Sequence, residues 1–317
     1  ERCCRAGLLA FHVASPLPHW HERVPITYKR SLSRVCCARF YDVFYVGADA
    51  GGEGAVPVVS VDDLLCELRE LARRYVFGGA RGRGTRPTFR PSGLAFPGLD
   101  ASAPNALRRA VERCLAPIAV AELGIDLFGI PASSAASFLR VLTKPAANWS
   151  SAQLFPHIDY AASVAATVGI SEFDGTSVGF YAAQVLARKP VLEDLTDVAM
   201  YKLQGIRSFA ADLAWHGSNQ SSQDESDAST ATPHFELLLK RGVMANRALA
   251  YPAWLLHRAI VPAEVAGRLS ADPERGRLTI NLFYATEEHP IRKGLAPASE
   301  PPDAELLEYL KRKPRHR

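Results

Sequence analysis

The chain has 317 residues with a formal net charge of +4, and 48% of its residues are hydrophobic. This composition is typical of a globular chain with a sizeable core. The charge is weak and dispersed, so we expect no nucleic-acid partner, and the basic stretch 311–317 is interpreted as a solvated end. No apolar run reaches the roughly 18 residues of a membrane helix, so no membrane partner is expected either.

The six cysteines argue against a disulfide or zinc framework. They are Cys3, Cys4, Cys36, Cys37, Cys66 and Cys114. Four of them form two adjacent pairs, and no CxxC spacing occurs. Reduced thiols are the simplest interpretation, and they favour a cytoplasmic protein.

The predicted elements, taken in chain order, divide the sequence into three parts. Residues 1–55 form a strand-rich N-terminal extension, and residues 56–290 form the main domain. Within that domain, residues 184–232 are an insertion whose last part, Ser218–Thr232, is polar and is predicted to be a mobile loop. Residues 291–317 form a closing helix and the basic tail.

Helices dominate the first part of the main domain and short strands dominate the rest. Helices are predicted over 62–75, capped by Asp62-Asp63, over 103–115, over 192–214 and over 304–311. Strands are predicted at 23–30, 37–46, 56–61, 137–144, 153–159, 163–170, 177–183, 234–239, 247–251, 256–260 and 276–285. Since regular alternation of strand and helix is missing, the pattern predicts an α+β fold. About eight short strands around one core favour a double-stranded β-helix, or jelly roll, with flanking helices.

The sharpest local feature is the run Phe155-Pro-His157-Ile-Asp159-Tyr160. On a strand, residues two apart point to the same face, so His157 and Asp159 are predicted to project together. A second histidine, His257, ends an apolar run that begins at Leu249. Two histidines and one carboxylate are the facial triad of non-haem iron(II) oxygenases, which leaves coordination positions open for cosubstrate and O2.

The strand Arg277-Leu-Thr279-Ile-Asn281-Leu-Phe283 carries a second signal. Alternation puts Arg277, Thr279 and Asn281 on one face and the aliphatic residues on the other. An arginine on the inner face of a strand needs an anion, and the distal carboxylate of 2-oxoglutarate suits a guanidinium fork.

Several of these segments recur, in the same order, in a known family. They are Val58-Val-Ser-Val-Asp-Asp63, Phe96-Pro-Gly98, Pro156-His-Ile-Asp159, Asp174-Gly-Thr176 with Gly179-Phe-Tyr181, Tyr251-Pro with Leu256-His257, and Arg277-Leu-Thr-Ile-Asn-Leu-Phe283. The chain thus resembles, over residues 56–286, a bacterial branch of the iron(II)/2-oxoglutarate-dependent oxygenases akin to prolyl 4-hydroxylases.

The resemblance implies a jelly-roll core with iron(II) held by His157, Asp159 and His257. It also implies 2-oxoglutarate as cosubstrate, anchored by Arg277 with help from Thr279. The expected activity is a dioxygenase that uses O2 to oxidise an unactivated C–H bond of a small molecule, amino acid or peptide, releasing succinate and CO2.

The chain departs from the family in two places. Asp174-Gly-Thr176 stands where Gly-Gly-Thr is common, and Arg258 follows the distal histidine where a small residue is common. The substrate is therefore not taken from the family. Tyr160, Tyr181 and Trp254 are candidate walls of the pocket.

Three alternatives remain beside the oxygenase. The run Gly175-Thr-Ser177-Val-Gly179, followed by Asp194 and His257, matches the nucleophile elbow of a serine hydrolase. The Gly-rich run 47–54 follows a strand as in a Rossmann fold, although a strand and not a helix is predicted after it. The last alternative is a non-catalytic jelly roll that binds a ligand or a protein.

Overall fold

The computed structural model describes residues 27–32, 40–47, 55–78, 87–92, 98–130, 135–145, 156–159, 162–183 and 235–286. The predicted helices at 192–214 and 304–311 and the predicted loop at 218–232 lie outside these residues. Within them, no helix has both the length and the apolar character needed to cross a membrane.

Twelve strands are present in the described part of the chain. They are β1 (Thr27–Leu32), β2 (Phe40–Val46), β3 (Val56–Val61), β4 (Arg90–Pro91), β5 (Gly98–Ser102), β6 (Ala135–Leu142), β7 (Val164–Gly169), β8 (Thr176–Ala183), β9 (Phe235–Val243), β10 (Ala248–Pro252), β11 (His257–Ile260) and β12 (Arg277–Tyr284). Most of the predicted strands are confirmed to within a few residues, and β9 runs four residues past its predicted end at Leu239. The predicted strand at 153–159 is not found in its described part, 156–159, which forms only an isolated bridge at His157.

The strands form two sheets. The large sheet has nine strands in the order β1-β2-β3-β10-β7-β12-β6-β5-β4, and the small sheet has three in the order β11-β8-β9. All strand pairs within the two sheets are antiparallel. An isolated bridge between His157 and His257 lies at β11, on the edge of the small sheet. The expected mixture of helices and mostly antiparallel strands is therefore confirmed.

The helices differ from the prediction at their ends. They are α1 (Leu68–Ala72), which continues into one π-helical turn (Arg73–Phe77), α2 (Asn105–Leu123), and the short α3 (Ala263–Ala266). The predicted cap at Asp62-Asp63 is wrong. Asp62 binds Arg247 from a distant part of the chain, and Asp63 has a left-handed φ of 50°. Helix α2 runs eight residues past its predicted end at Leu115 (123 − 115) and contains Pro117.

The large sheet separates two hydrophobic cores. On one side, its side chains pack against α1 and α2, as Leu278 and Ile280 of β12 do. On the other side, here called the inner face, residues such as Leu249 and Tyr251 pack with Val178 and Phe180 of the small sheet. Alternate residues of one strand therefore belong to different layers, as the period-two pattern predicts. The polar residues of β12 consequently lie between the sheets.

Candidate metal centre and anion pocket

His157, Asp159 and His257 meet at the edge of the small sheet. One ligand atom from each residue lies within 4.8 Å of the others. The Nε2 atom of His257 is 3.3 Å from Oδ2 of Asp159, and the two imidazole centroids are 4.8 Å apart. The structure thus brings together three residues that are separated by up to 100 positions in the sequence.

Backbone pairing explains why these side chains converge. The amide of His157 donates to the carbonyl of His257, and the amide of His257 donates back, both at 2.9 Å. Residues paired in this way across antiparallel strands present their side chains on the same side. The amide of Asp159 donates to the carbonyl of Ala253 at 2.8 Å, which places the carboxylate beside both rings.

The orientation of the His257 ring suits a metal ligand. Its Nδ1 atom is 2.8 Å from the carbonyl oxygen of Leu255, so this nitrogen carries the proton and donates it. Nε2 then faces Asp159 and is the ring nitrogen left to bind a metal. A backbone carbonyl commonly fixes the tautomer of a metal-binding histidine in this way.

The charges around the triad also fit a cation. Burial tends to raise the pKa of Asp159, but His257, His157 and Arg140 outweigh it, and the pKa lies below its usual range. Burial tends to lower the pKa of His257, yet the carboxylate of Asp159 raises it above its usual range. An ionised carboxylate facing two imidazoles is a donor set that binds iron(II) and leaves coordination positions open. The residues present therefore fit a divalent metal.

Arg277 is a buried cation on the inner face of β12. Only 5% of its surface is exposed, and its Nε atom donates to Oγ1 of Thr176 at 2.9 Å. Burial, reinforced by the charge of Arg140, lowers the pKa of Arg277 to about 10. Among the residues that the structure describes, no carboxylate pairs with it. A buried guanidinium without an acidic partner is a site for an external anion.

Tyr251 connects the triad to the arginine. Its ring centroid is 4.8 Å from that of His257, and its hydroxyl lies near the side chain of Thr167. Burial and the charge of Asp159 raise the pKa of Tyr251, while Arg277 acts in the opposite direction. The hydroxyl therefore lies within electrostatic reach of both the metal ligand and the anion pocket.

Sequence reasoning missed several side chains of this site. Thr176 and Tyr251 were recognised only as parts of recurring segments, and Thr167 and Arg140 were not singled out. Thr167 could have been found, because it is the only polar residue of β7 (Val164–Gly169). Arg140, which forms two 2.8 Å hydrogen bonds with Asp100, gave no comparable local signal.

The alternative with a nucleophilic serine lacks the required geometry. Ser177 lies within strand β8, where a nucleophile elbow would need a sharp turn before a helix. Phe180 is directly opposite His257, so Ser177, three residues earlier, points to the other side of the small sheet. Asp194 lies outside the described residues. The Rossmann alternative also fails, since strand β3, and not a helix, follows the Gly-rich run.

The three residues predicted to form walls of the pocket differ in their positions. Tyr181 is not a wall, because it shares the outer side of the small sheet with Arg258, whose Nε donates to the Tyr181 hydroxyl at 2.9 Å. Arg258 therefore points away from the pocket. Trp254 packs against the core between the sheets, whereas Tyr160 lies outside the described residues. Asp174, the other residue at which the sequence departs from the family that it resembles, is bound to the exposed Arg268.

The comparison with protein families gives a match. A family described as a family of unknown function matches residues 44–284, about three quarters of the chain. This range includes the triad, Tyr251 and Arg277. No curated protein matches the chain.

Proposed function

We propose that this chain, which belongs to the DUF6445 family of unknown function, is an iron(II)- and 2-oxoglutarate-dependent oxygenase. One observation carries the proposal. Two imidazoles and a carboxylate converge between the same two sheets that bury Arg277, a cation without an acidic partner among the described residues. Such a pair of sites suits a metal and an anion that binds beside it.

The order of the strands supports a double-stranded β-helix. From β6 onward the chain passes back and forth between the layers, except at the consecutive strands β8 and β9. β6, β7, β10 and β12 lie in the large sheet, and the His157 segment, β8, β9 and β11 lie in the small one. The central order β10-β7-β12-β6 faces the order His157-β11-β8-β9. Seven strands and the His157 segment, distributed over two facing sheets in this manner, resemble the eight-stranded arrangement of a jelly roll. We therefore propose that β6 to β12 and the His157 segment form this core.

The residues of the chain have separable tasks in the proposed enzyme. His157, Asp159 and His257 would hold iron(II), while Arg277 and Thr279 would hold the distal carboxylate of 2-oxoglutarate. When bound, iron(II), 2-oxoglutarate and O2 together supply the oxidising chemistry, in which an unactivated C–H bond is oxidised and succinate and CO2 are released.

The protein contributes position and exclusion of water. The carbonyl of Leu255 fixes the His257 ring, and Thr176 fixes the Arg277 guanidinium. Phe180 and Leu255, which are fully buried, close the space between the sheets. A site preorganised in this way needs little rearrangement when its ligands bind.

The direct test is formation of succinate from 2-oxoglutarate in the presence of iron(II), ascorbate and air. Without a known substrate we expect slow uncoupled turnover by the wild type and none by His257→Ala. The variant Ser177→Ala is the control, because its hydroxyl points away from the centre, and we expect wild-type rates. Succinate formed equally by His257→Ala, or lost in Ser177→Ala, would exclude the proposed site.

A further inference from the structure

Three polar side chains form a continuous hydrogen-bonded row on the inner face of the large sheet, and Tyr251 lies beside its first member, Thr167. Oγ1 of Thr167 donates to Oδ1 of Asn281 at 3.0 Å. The amide nitrogen of Asn281 donates to Oγ1 of Thr279 at 3.1 Å. All four residues are buried. Since buried polar groups cost stability that aliphatic residues would not, packing alone does not account for this row.

The row has a direction. Thr167 donates the single proton of its hydroxyl to the amide oxygen of Asn281. At the other end, Thr279 accepts from Asn281 and keeps its own proton. That proton has no acceptor among the described residues, and Thr279 is two positions from Arg277 on the same face of β12. The row therefore ends in a hydroxyl donor on the side of the anion pocket.

We infer that Asn281 is a positioning residue for the cosubstrate. Held by Thr167, it keeps the Thr279 hydroxyl as a hydrogen-bond donor to the carboxylate that Arg277 binds. This inference rests on the proposed function and adds residues that act through Thr279 without contacting the ligand. It also predicts that the row recognises the distal carboxylate and not the keto acid end.

The test compares two keto acids in anaerobic titrations of the iron(II)-loaded protein. 2-Oxoglutarate has the distal carboxylate, and 2-oxopentanoate has the same chain length without it. We expect Asn281→Asp to raise the Kd of 2-oxoglutarate about thirtyfold or more, because the new carboxylate takes the Thr279 proton and adds a negative charge. The isosteric Thr167→Val should raise this Kd about three- to tenfold. Neither variant should change the Kd of 2-oxopentanoate more than about twofold.

A double-mutant cycle separates positioning from a general structural effect. If Thr167 acts through Thr279, then Thr167→Val should have almost no effect on 2-oxoglutarate in a Thr279→Val background. Ser171→Ala is the matched control. It also removes a buried hydroxyl bonded to β12, at the amide of Leu278, but it lies outside the row. We expect it to lower thermal stability and to leave both Kd values unchanged.

The outcomes distinguish this inference from the proposed function. A wild type that binds no 2-oxoglutarate overturns both. Binding that depends on Arg277 but is unaffected by Thr167→Val, or weakened equally for both keto acids, overturns the role of the row alone. Additive effects of Thr167→Val and Thr279→Val overturn it too. If Asn281→Asp does not fold, the double-mutant cycle of Thr167→Val and Thr279→Val still tests the role of the row.

Discussion

At the scale of single residues, Arg277 is the side chain whose burial is hardest to explain without a ligand. Burial is the main reason that its pKa falls to about 10. The charged guanidinium is therefore less stable in the ligand-free protein than it would be in water. The difference from 12.5 corresponds to roughly 3 kcal/mol at neutral pH. The hydrogen bond to Thr176 offsets part of this cost.

We therefore expect Arg277→Met to stabilise the ligand-free protein by about 1–3 kcal/mol at pH 7, measured by urea unfolding. The advantage should shrink above pH 10, where the wild-type arginine begins to lose its proton in the folded state. The same variant should lose the stabilisation that 2-oxoglutarate gives to the iron-loaded wild type. A variant that is clearly less stable without ligand would show that Arg277 has a structural partner.

Alternation along β12 allowed Arg277, Thr279 and Asn281 to be placed on one face from sequence alone, and the structure has them there. What they contact could not be predicted. Thr167 is 114 positions from Asn281, and Thr176 is 101 positions from Arg277. Contacts at such separations depend on which strands are neighbours, and a single sequence does not contain that information.

At the scale of elements, the approach of β7 to the turn between β9 and β10 is unusually close. A Cβ atom on Gly169 would lie 1.9 Å from the carbonyl oxygen of Met244, whereas one on Gly267 would meet nothing within 4 Å. The obstacle is backbone, so it cannot move aside as a side chain could.

We expect Gly169→Ala to lower the free energy of unfolding by about 2–4 kcal/mol in urea denaturation. Gly267→Ala is the matched control, since Gly267 has a helical φ of −69°, and it should change stability by less than about 0.5 kcal/mol. Equal effects of the two substitutions would mean that β7 does not pack closely against that turn.

Strands were easier to predict than helix ends for a physical reason. The signals for strands are local, since β12 alternates with period two and β3 and β10 are short apolar runs. The start of α1 was predicted wrongly, because Asp62 was expected to cap the helix but binds Arg247. The competing partner is 185 positions away, so the capping pattern was misleading.

At the scale of the whole molecule, the triad joins two segments that are far apart in the sequence. Among the described residues, the His157 segment meets β11 at an isolated bridge on the edge of the small sheet. A metal held by His157, Asp159 and His257 would fasten this segment to the sheet. Binding to the folded state alone stabilises a protein by mass action.

We expect iron(II) at about 100 times its Kd to raise the free energy of unfolding by about 2.7 kcal/mol under anaerobic conditions. The isosteric Asp159→Asn should abolish this gain. Asp174→Asn, which alters an exposed carboxylate on the loop before β8, should retain it. A gain that survives in Asp159→Asn would place the metal elsewhere.

The most direct measurement is an anaerobic titration of the protein with iron(II) and 2-oxoglutarate, followed by visible absorption. The proposed function predicts a weak charge-transfer band from the chelated cosubstrate in the wild type, and no band in His157→Ala. A band of equal strength in both proteins would exclude His157 as a ligand. No band in the wild type, together with no retained iron, would contradict the assignment of this protein as an oxygenase.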